Sequence, residues 1–288
     1  MLLPFVLLGL SICAVWLPPI PVPSWRPVPL WLPLFLAAVL AGLAVGLLEL
    51  TAVAALGALA ALAWWSNTLS QPALKAAAIF VVIVLALALA LHAVPGFRNP
   101  VVIDAVRLSA DSQPFTQYAN FDKGAVGLLL LATLVPLASG LRDKRRAALI
   151  ASLAALATAT VVLGTAVALD YVRWDPKWPA VALTFLAINL LFTCVAEEAF
   201  FRGVIQERLA RACANVRWLA WLPIAVSTIL FAVAHAGGGM VLVALAAIAG
   251  LGYSLAYAWT RRIEAAIVAH FAVNAAHFVG FSYPQLAR

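Results

Sequence analysis

Between Ala147 and Leu169 the chain reads AALIASLAALATATVVLGTAVAL, a run with no charged side chain that is apolar on every face of a helix. Such a segment is long enough to cross a hydrocarbon core, which takes roughly 20 residues. Val81 to Leu91 has the same character. Neither run alternates apolar with polar positions, so both predict helices and not the short alternating strands of an outer-membrane barrel. The rest of the chain agrees. Of 288 residues, 66% are hydrophobic and only 10% charged, with mean hydropathy +1.06, whereas a soluble domain is about half apolar and about a quarter charged. A soluble globular protein is excluded. The expected fold is an all-α polytopic membrane protein, a bundle of about 8–10 transmembrane helices.

Working outward from this run, apolar stretches suggest spans near 1–18, 29–47, 48–65, 73–93, 124–141, 147–169, 180–200, 218–236, 240–259 and 264–281. Trp31 to Trp65 reads either as two short spans turning near Glu49 or as one very long tilted helix. Three regions follow: N-terminal transmembrane helices over 1–95, an outer loop segment over 96–123, and a transmembrane domain over 124–288 that carries the chemistry. The outer segment, with Asp104, Arg107, Asp111, Pro114 and Asp122, reads as a surface or re-entrant loop, or as a lid contacting substrate. Met1 to Pro18 lacks a positive leader region and a small-residue cleavage site, so it is expected to remain as a first span.

Basic residues cluster at Arg142, Lys144, Arg145 and Arg146, again from Arg202 to Arg217, and at Arg261 and Arg262. Two spans separate each cluster from the next, which puts all three on one side, and the positive-inside bias makes that side cytoplasmic. The expectation is a multi-pass plasma (inner) membrane protein with 142–146, 202–217 and 261–262 in the cytoplasm. The same bias accounts for the net charge of +7 and pI of 9.8. No basic stripe interleaves with aromatics, so no nucleic-acid partner is expected. Cys13, Cys194 and Cys213 form no C-x-x-C pair and encode neither a disulfide framework nor a zinc ribbon.

Ionisable groups inside a bilayer are costly, so the few found there carry most of the functional information. Of the 11 acidic residues, Glu49, Glu197 and Glu198 fall within or near the ends of apolar spans, and Glu264 opens the last span. Glu198 and Arg202 are four apart, on one face of an α-helix, and can pair; Glu197 points about 100° away. With Cys194 and Phe201 a turn to either side, Glu197 is expected to have no local cation and suits a general base. His270 and Asn274 share a face of the last span. His235 precedes Gly237, Gly238 and Gly239, and His92 ends the fourth span on the outer side, away from the others. If the helix bearing Glu197 continues through Gln206 to Arg211 and turns near Asn215, facing positions of the hairpin sum to a constant. Glu197 and His235 then stand at matching heights. His270, about eight residues past Arg262, lies about 12 Å in from the basic side. For each histidine alone, an interhelical hydrogen bond is the plain alternative.

Glu197-Glu198-x-x-x-Arg202, Phe231-x-x-x-His235 and His270-x-x-x-Asn274, in this order on successive apolar spans, resemble the three motifs of the CPBP family, the type II CAAX prenyl endopeptidases and bacteriocin-processing intramembrane proteases. The resemblance covers roughly Ala180 to Gly280. The phrases at Ser109 to Phe115 and Asn120 to Lys123 also look like bacterial members, with lower specificity. It implies an intramembrane endopeptidase in which Glu197 and His235 activate a water, His270 and Asn274 stabilise the oxyanion, and Glu198, Arg202 and Phe231 support them. The implied partners are the lipid bilayer and a membrane-associated peptide or protein; no oligomeric state is indicated. No cofactor is expected. A zinc ion held by His235, His270 and Glu197 is the mechanistic rival, although no H-E-x-x-H occurs. Cys194 as nucleophile would need a base within reach. A proton-coupled transporter using the same buried glutamates and histidines is the alternative function.

Overall fold

The structure, a computed structural model, describes residues 2–21, 27–137 and 141–287, with the backbone alone for 141–144. The expected basic positions Arg142 and Lys144 therefore lie outside the described side chains. The chain is an all-α, multi-pass membrane protein. Among the described residues, seven helices are long and apolar enough to cross a membrane, the longest of them Ala182–Ala212. Leu2–Ala14 and Trp31–Ala44 are shorter apolar helices. The chain forms two compact units, each discontinuous in sequence.

The first unit comprises Met1–Pro100, Tyr118–Val135 and Leu191–Phe200. It contains α1 (Leu2–Ala14), α2 (Trp31–Ala44), α3 (Leu50–Thr68), α4 (Pro72–Ala90) and α5 (Phe121–Leu134). The stretch from Trp31 to Trp65 is two helices. Gly46 adopts φ +70°, and the Leu47 and Leu48 amides both donate to the Gly42 carbonyl, which stops α2 and turns the chain into α3. Glu49 sits on this turn and not inside a span. It pairs with Arg98 at 3.0 Å, both side chains largely exposed.

Helix α5 packs against α1, α3 and α4. Phe121, Ala125 and Leu128 to Leu131 are all buried, as expected of a helix apolar all round. With 14 residues it is about 21 Å long. Its N-terminus is capped from a distance: the Asn99 side-chain carbonyl accepts the Phe121 amide at 2.9 Å, satisfying one of the donors that a helix start leaves open.

The second unit comprises Val101–Gln117, Pro136–Leu190 and Phe201–Arg288. Where sequence predicted only loop, β1 (Val101–Val106) and β2 (Phe115–Tyr118) form a two-stranded sheet. Its Ile103 and Phe115 join an aromatic cluster built on Phe185 and Phe278, whose rings stack at 3.8 Å. Helix α6 (Leu141–Ala168) opens the membrane part. The helical stretch Ala182–Ala212 then runs as α7 (Ala182–Ile188), a π-helical segment (Asn189–Cys194), α8 (Val195–Glu198), a second π-helical segment (Ala199–Gln206) and α9 (Glu207–Ala212). Residues 191–200 of this stretch, α8 included, belong to the first unit and its two flanks to the second. Helices α10 (Leu222–Ala234), α11 (Met240–Thr260) and α12 (Ile263–Gly280) complete the chain.

Helix α11 packs against α6, α10 and α12. Gly252 makes the α6 contact possible: a Cβ there would lie 2.1 Å from the Thr158 hydroxyl. The hairpin expected to turn near Asn215 does so, with α9 ending at Ala212 and α10 starting at Leu222. Phe201 meets Phe231 edge-on at 5.4 Å, a pair whose numbers sum to 432.

Candidate functional site

The seven residues singled out by sequence divide between the units. Glu197 and Glu198 lie on α8 in the first, while Arg202, Phe231, His235, His270 and Asn274 lie in the second.

In the first unit, α8 is drawn against α5 by two glycines. A Cβ on Gly127 would stand 2.7 Å from the Ala196 Cα, and one on Gly124 2.8 Å from the Phe192 ring. This approach sets Lys123 beside the helix that bears Glu197. Lys123 Nζ donates to Glu197 Oε1 at 2.7 Å, with both side chains mostly buried. The expectation that Glu197 has no cation nearby is thus corrected. It held along its own helix, but the cation comes from α5, 74 positions earlier in the chain. Glu198 is fully buried.

The neighbour of Lys123 is fixed more firmly still. Asp122, fully buried, accepts His92 Nδ1–H at 2.7 Å, Asn99 Nδ2 at 3.1 Å on each oxygen, and the Lys123 amide at 2.8 Å. Buried polar groups need such partners, and an acidic side chain suits the first turn of a helix such as α5. His92, set aside by sequence, is therefore a partner of the buried Asp122, its own side chain 45% exposed.

In the second unit the centre is Phe231. Arg202 is completely buried: Nη2 donates to the Gly250 carbonyl at 2.8 Å, Nε reaches Ser254 Oγ at 3.4 Å, and the guanidinium lies 4.6 Å over the Phe231 ring. A cation over an aromatic face is stabilised most when desolvated. His235 and His270 both contact the same ring, at 4.7 and 5.6 Å between centroids. His235 is the C-cap of α10, and its Nδ1 lies 2.8 Å from the Phe231 carbonyl. That oxygen can only accept, so Nδ1 carries a proton and donates it.

His270 is buried and stacked on Tyr253 at 4.6 Å. Asn274, one turn on, donates Nδ2 to Asn189 Oδ1 at 3.2 Å, and Asn189 opens the first π-helical segment. π turns are rare and occur often at functional sites, and here two of them flank Glu197 and Glu198, the second containing Arg202. Another buried carboxylate, unmarked by sequence, stabilises the far end of this helical stretch: Glu207 accepts Tyr257 Oη and Arg211 Nε at 2.7 Å each and pairs with Arg261 at 2.6 Å. Among the described residues, no group of three or more His, Cys, Asp or Glu side chains that could hold a metal ion is present.

Sequence missed Lys123, Tyr253 and Asn189. Tyr253 was accessible through hairpin arithmetic, being as far before Arg261 as His270 is after Arg262, the two residues that make the turn. Lys123 lay in the Asn120 to Lys123 phrase that carried the weaker part of the resemblance.

Residues 178–276 match the model of a protein family described as type II CAAX prenyl endopeptidase, Rce1-like. The matched segment runs from Trp178, ahead of α7, into α12 and includes all seven motif residues. Lys123, Asp122 and His92 lie outside it. Searches of curated proteins and of solved structures found no match to the chain.

Proposed function

We propose that the protein is an intramembrane endopeptidase that hydrolyses a peptide bond of a membrane-associated protein. The observation that carries this reading is the family match over 178–276, which spans all three motifs read independently from the rarity of charge in the apolar spans. Glu197 acts as general base on a water, with the Nε2 lone pair of His235 as the second acceptor for its protons. The water oxygen forms the new bond to the scissile carbonyl carbon. His270 and Asn274 donate hydrogen bonds to the oxyanion that results, where preorganised donors count most because bulk water is excluded. The proton taken by Glu197 is delivered to the leaving nitrogen as the C–N bond breaks. Arg202 holds the Phe231 ring against both histidines, and Glu198 is assigned a supporting role.

The chemistry uses water alone; zinc, if it takes part, would be revealed by loss of activity under chelation and its return on adding the metal. The experiment compares membrane peptides, by mass spectrometry of their new termini, between cells expressing the wild-type chain, Glu197→Gln and His235→Ala at equal folded levels. Cleavage products present only with the wild type are expected. Identical peptide patterns in all three would refute the reading, and pH-dependent solute flux in liposomes without proteolysis would favour a transporter.

A further inference from the structure

We infer that Lys123 is a positioning residue for the Glu197 carboxylate, and that Asp122, His92 and Asn99 form the clamp that keeps it in place; the inference rests on the proposed role of Glu197. Three observations combine. First, the ion pair is short and mostly desolvated, with Nζ to Oε1 at 2.7 Å and side-chain exposures of 21% and 15%. An ammonium there holds one carboxylate oxygen in a fixed direction by a charge-assisted hydrogen bond.

Second, the register that makes the pair possible is set by backbone contact. Gly127 abuts Ala196, the residue before Glu197, and Gly124 abuts Phe192, so α5 cannot slide along α8 without collision. Third, the competing carboxylate is already satisfied. Asp122, adjacent in sequence to Lys123, accepts hydrogen bonds from His92, from Asn99 at both oxygens, and from the Lys123 amide. Asn99 also caps the amide of Phe121. Asp122 thus anchors the backbone of Lys123 and leaves its ammonium for Glu197. The loop after α4, which supplies His92 and Asn99, thereby acts on a catalytic group it does not touch.

Displacing a catalytic group by about 1 Å can cost about 100-fold in rate. With a quenched-fluorescent peptide ending in a farnesylated CAAX sequence as the probe, in mixed micelles, Lys123→Met is expected to lower kcat about 100-fold with KM within twofold of wild type. Lys123→Arg should recover at least tenfold of the loss. A purely structural lysine would lower the folded fraction with kcat per folded molecule unchanged. Unchanged kcat in Lys123→Met, or no recovery with Arg, overturns the inference. Should Lys123→Met not fold, Asn99→Ala loosens the clamp without touching the ion pair; a several-fold fall in kcat is expected, and an unchanged kcat overturns the inference. Glu197→Gln separates the two readings. If it cleaves at the wild-type rate, the endopeptidase assignment of Glu197 fails. If it is inactive while Lys123→Met is fully active, only the positioning role fails.

Discussion

An alanine at position 127 would place its Cβ 2.7 Å from the Cα of Ala196, 2.9 Å from its Cβ and 3.0 Å from its amide nitrogen. Ordinary contact begins near 3.4 Å, so α5 and α8 must part by about 0.7 Å, and no flexible side-chain end is present to absorb the shift. Overpacking of this kind costs about 1–3 kcal/mol, against a helix-propensity gain of about 1 kcal/mol for replacing glycine. Gly57 in α3 provides the control, since a Cβ there meets nothing within 4 Å; Gly57→Ala gains the propensity term alone. At about 2–4 °C per kcal/mol, Gly127→Ala should melt a few degrees below wild type in detergent and Gly57→Ala slightly above it. The displacement also reaches Glu197, one residue beyond Ala196, and stretches its 2.7 Å bond to Lys123 towards the limit of a hydrogen bond. Cleavage of the farnesylated peptide by Gly127→Ala should therefore fall about 10- to 100-fold. A Gly127→Ala protein that melts at or above wild type and cleaves at its rate would refute the packing argument.

Three other outcomes are expected. Arg202→Met keeps the volume but leaves the buried Gly250 carbonyl without its donor, a loss of about 1–3 kcal/mol that thermal unfolding will register, and Arg202→Lys should not restore it because an ammonium lacks the planar fork. Asn274→Ala should reduce kcat about 100- to 1000-fold, as removal of an oxyanion donor does, with a melting temperature within a few degrees of wild type. Glu49→Gln breaks an exposed ion pair and should change stability by less than about 1 kcal/mol and leave cleavage unaffected, a result checked in the same two assays.

The membrane class and the helix positions were legible because both depend on local composition: a run such as Ala147 to Leu169 has no other way to satisfy its backbone in lipid. The hairpin register was legible for a similar reason. Antiparallel helices pair positions about their turn, and Phe201 meets Phe231 about a midpoint of 216, between α9 and α10. Side-chain spacing along one helix carried the Phe231–His235 contact and the face shared by His270 and Asn274. What could not be read was chosen by distant partners. The cation beside Glu197 comes from another helix, β1 finds its partner across a turn, and the π-helical segments arise where packing overrides the 3.6-residue repeat. The buried state of Glu207 was hidden likewise, because Tyr257 and Arg261 reach it from α11 and its C-terminal cap.

The two π-helical segments leave α8 as an island of four residues, Val195–Glu198, between turns wound wider than an α-helix. A helical wheel drawn through 189–206 therefore misassigns faces, and the error accumulates on both sides of the glutamates. Cysteine accessibility scanned along these positions should repeat at more than 3.6 residues per turn. Because a π turn (i→i+5) takes in one more residue than an α turn, a one-residue deletion within either segment that converts it to α geometry would keep the helix faces on either side roughly in register. Insertions and deletions are usually discounted in membrane helices as simple disruptions; in this helix the wide turns can absorb the loss of a single residue.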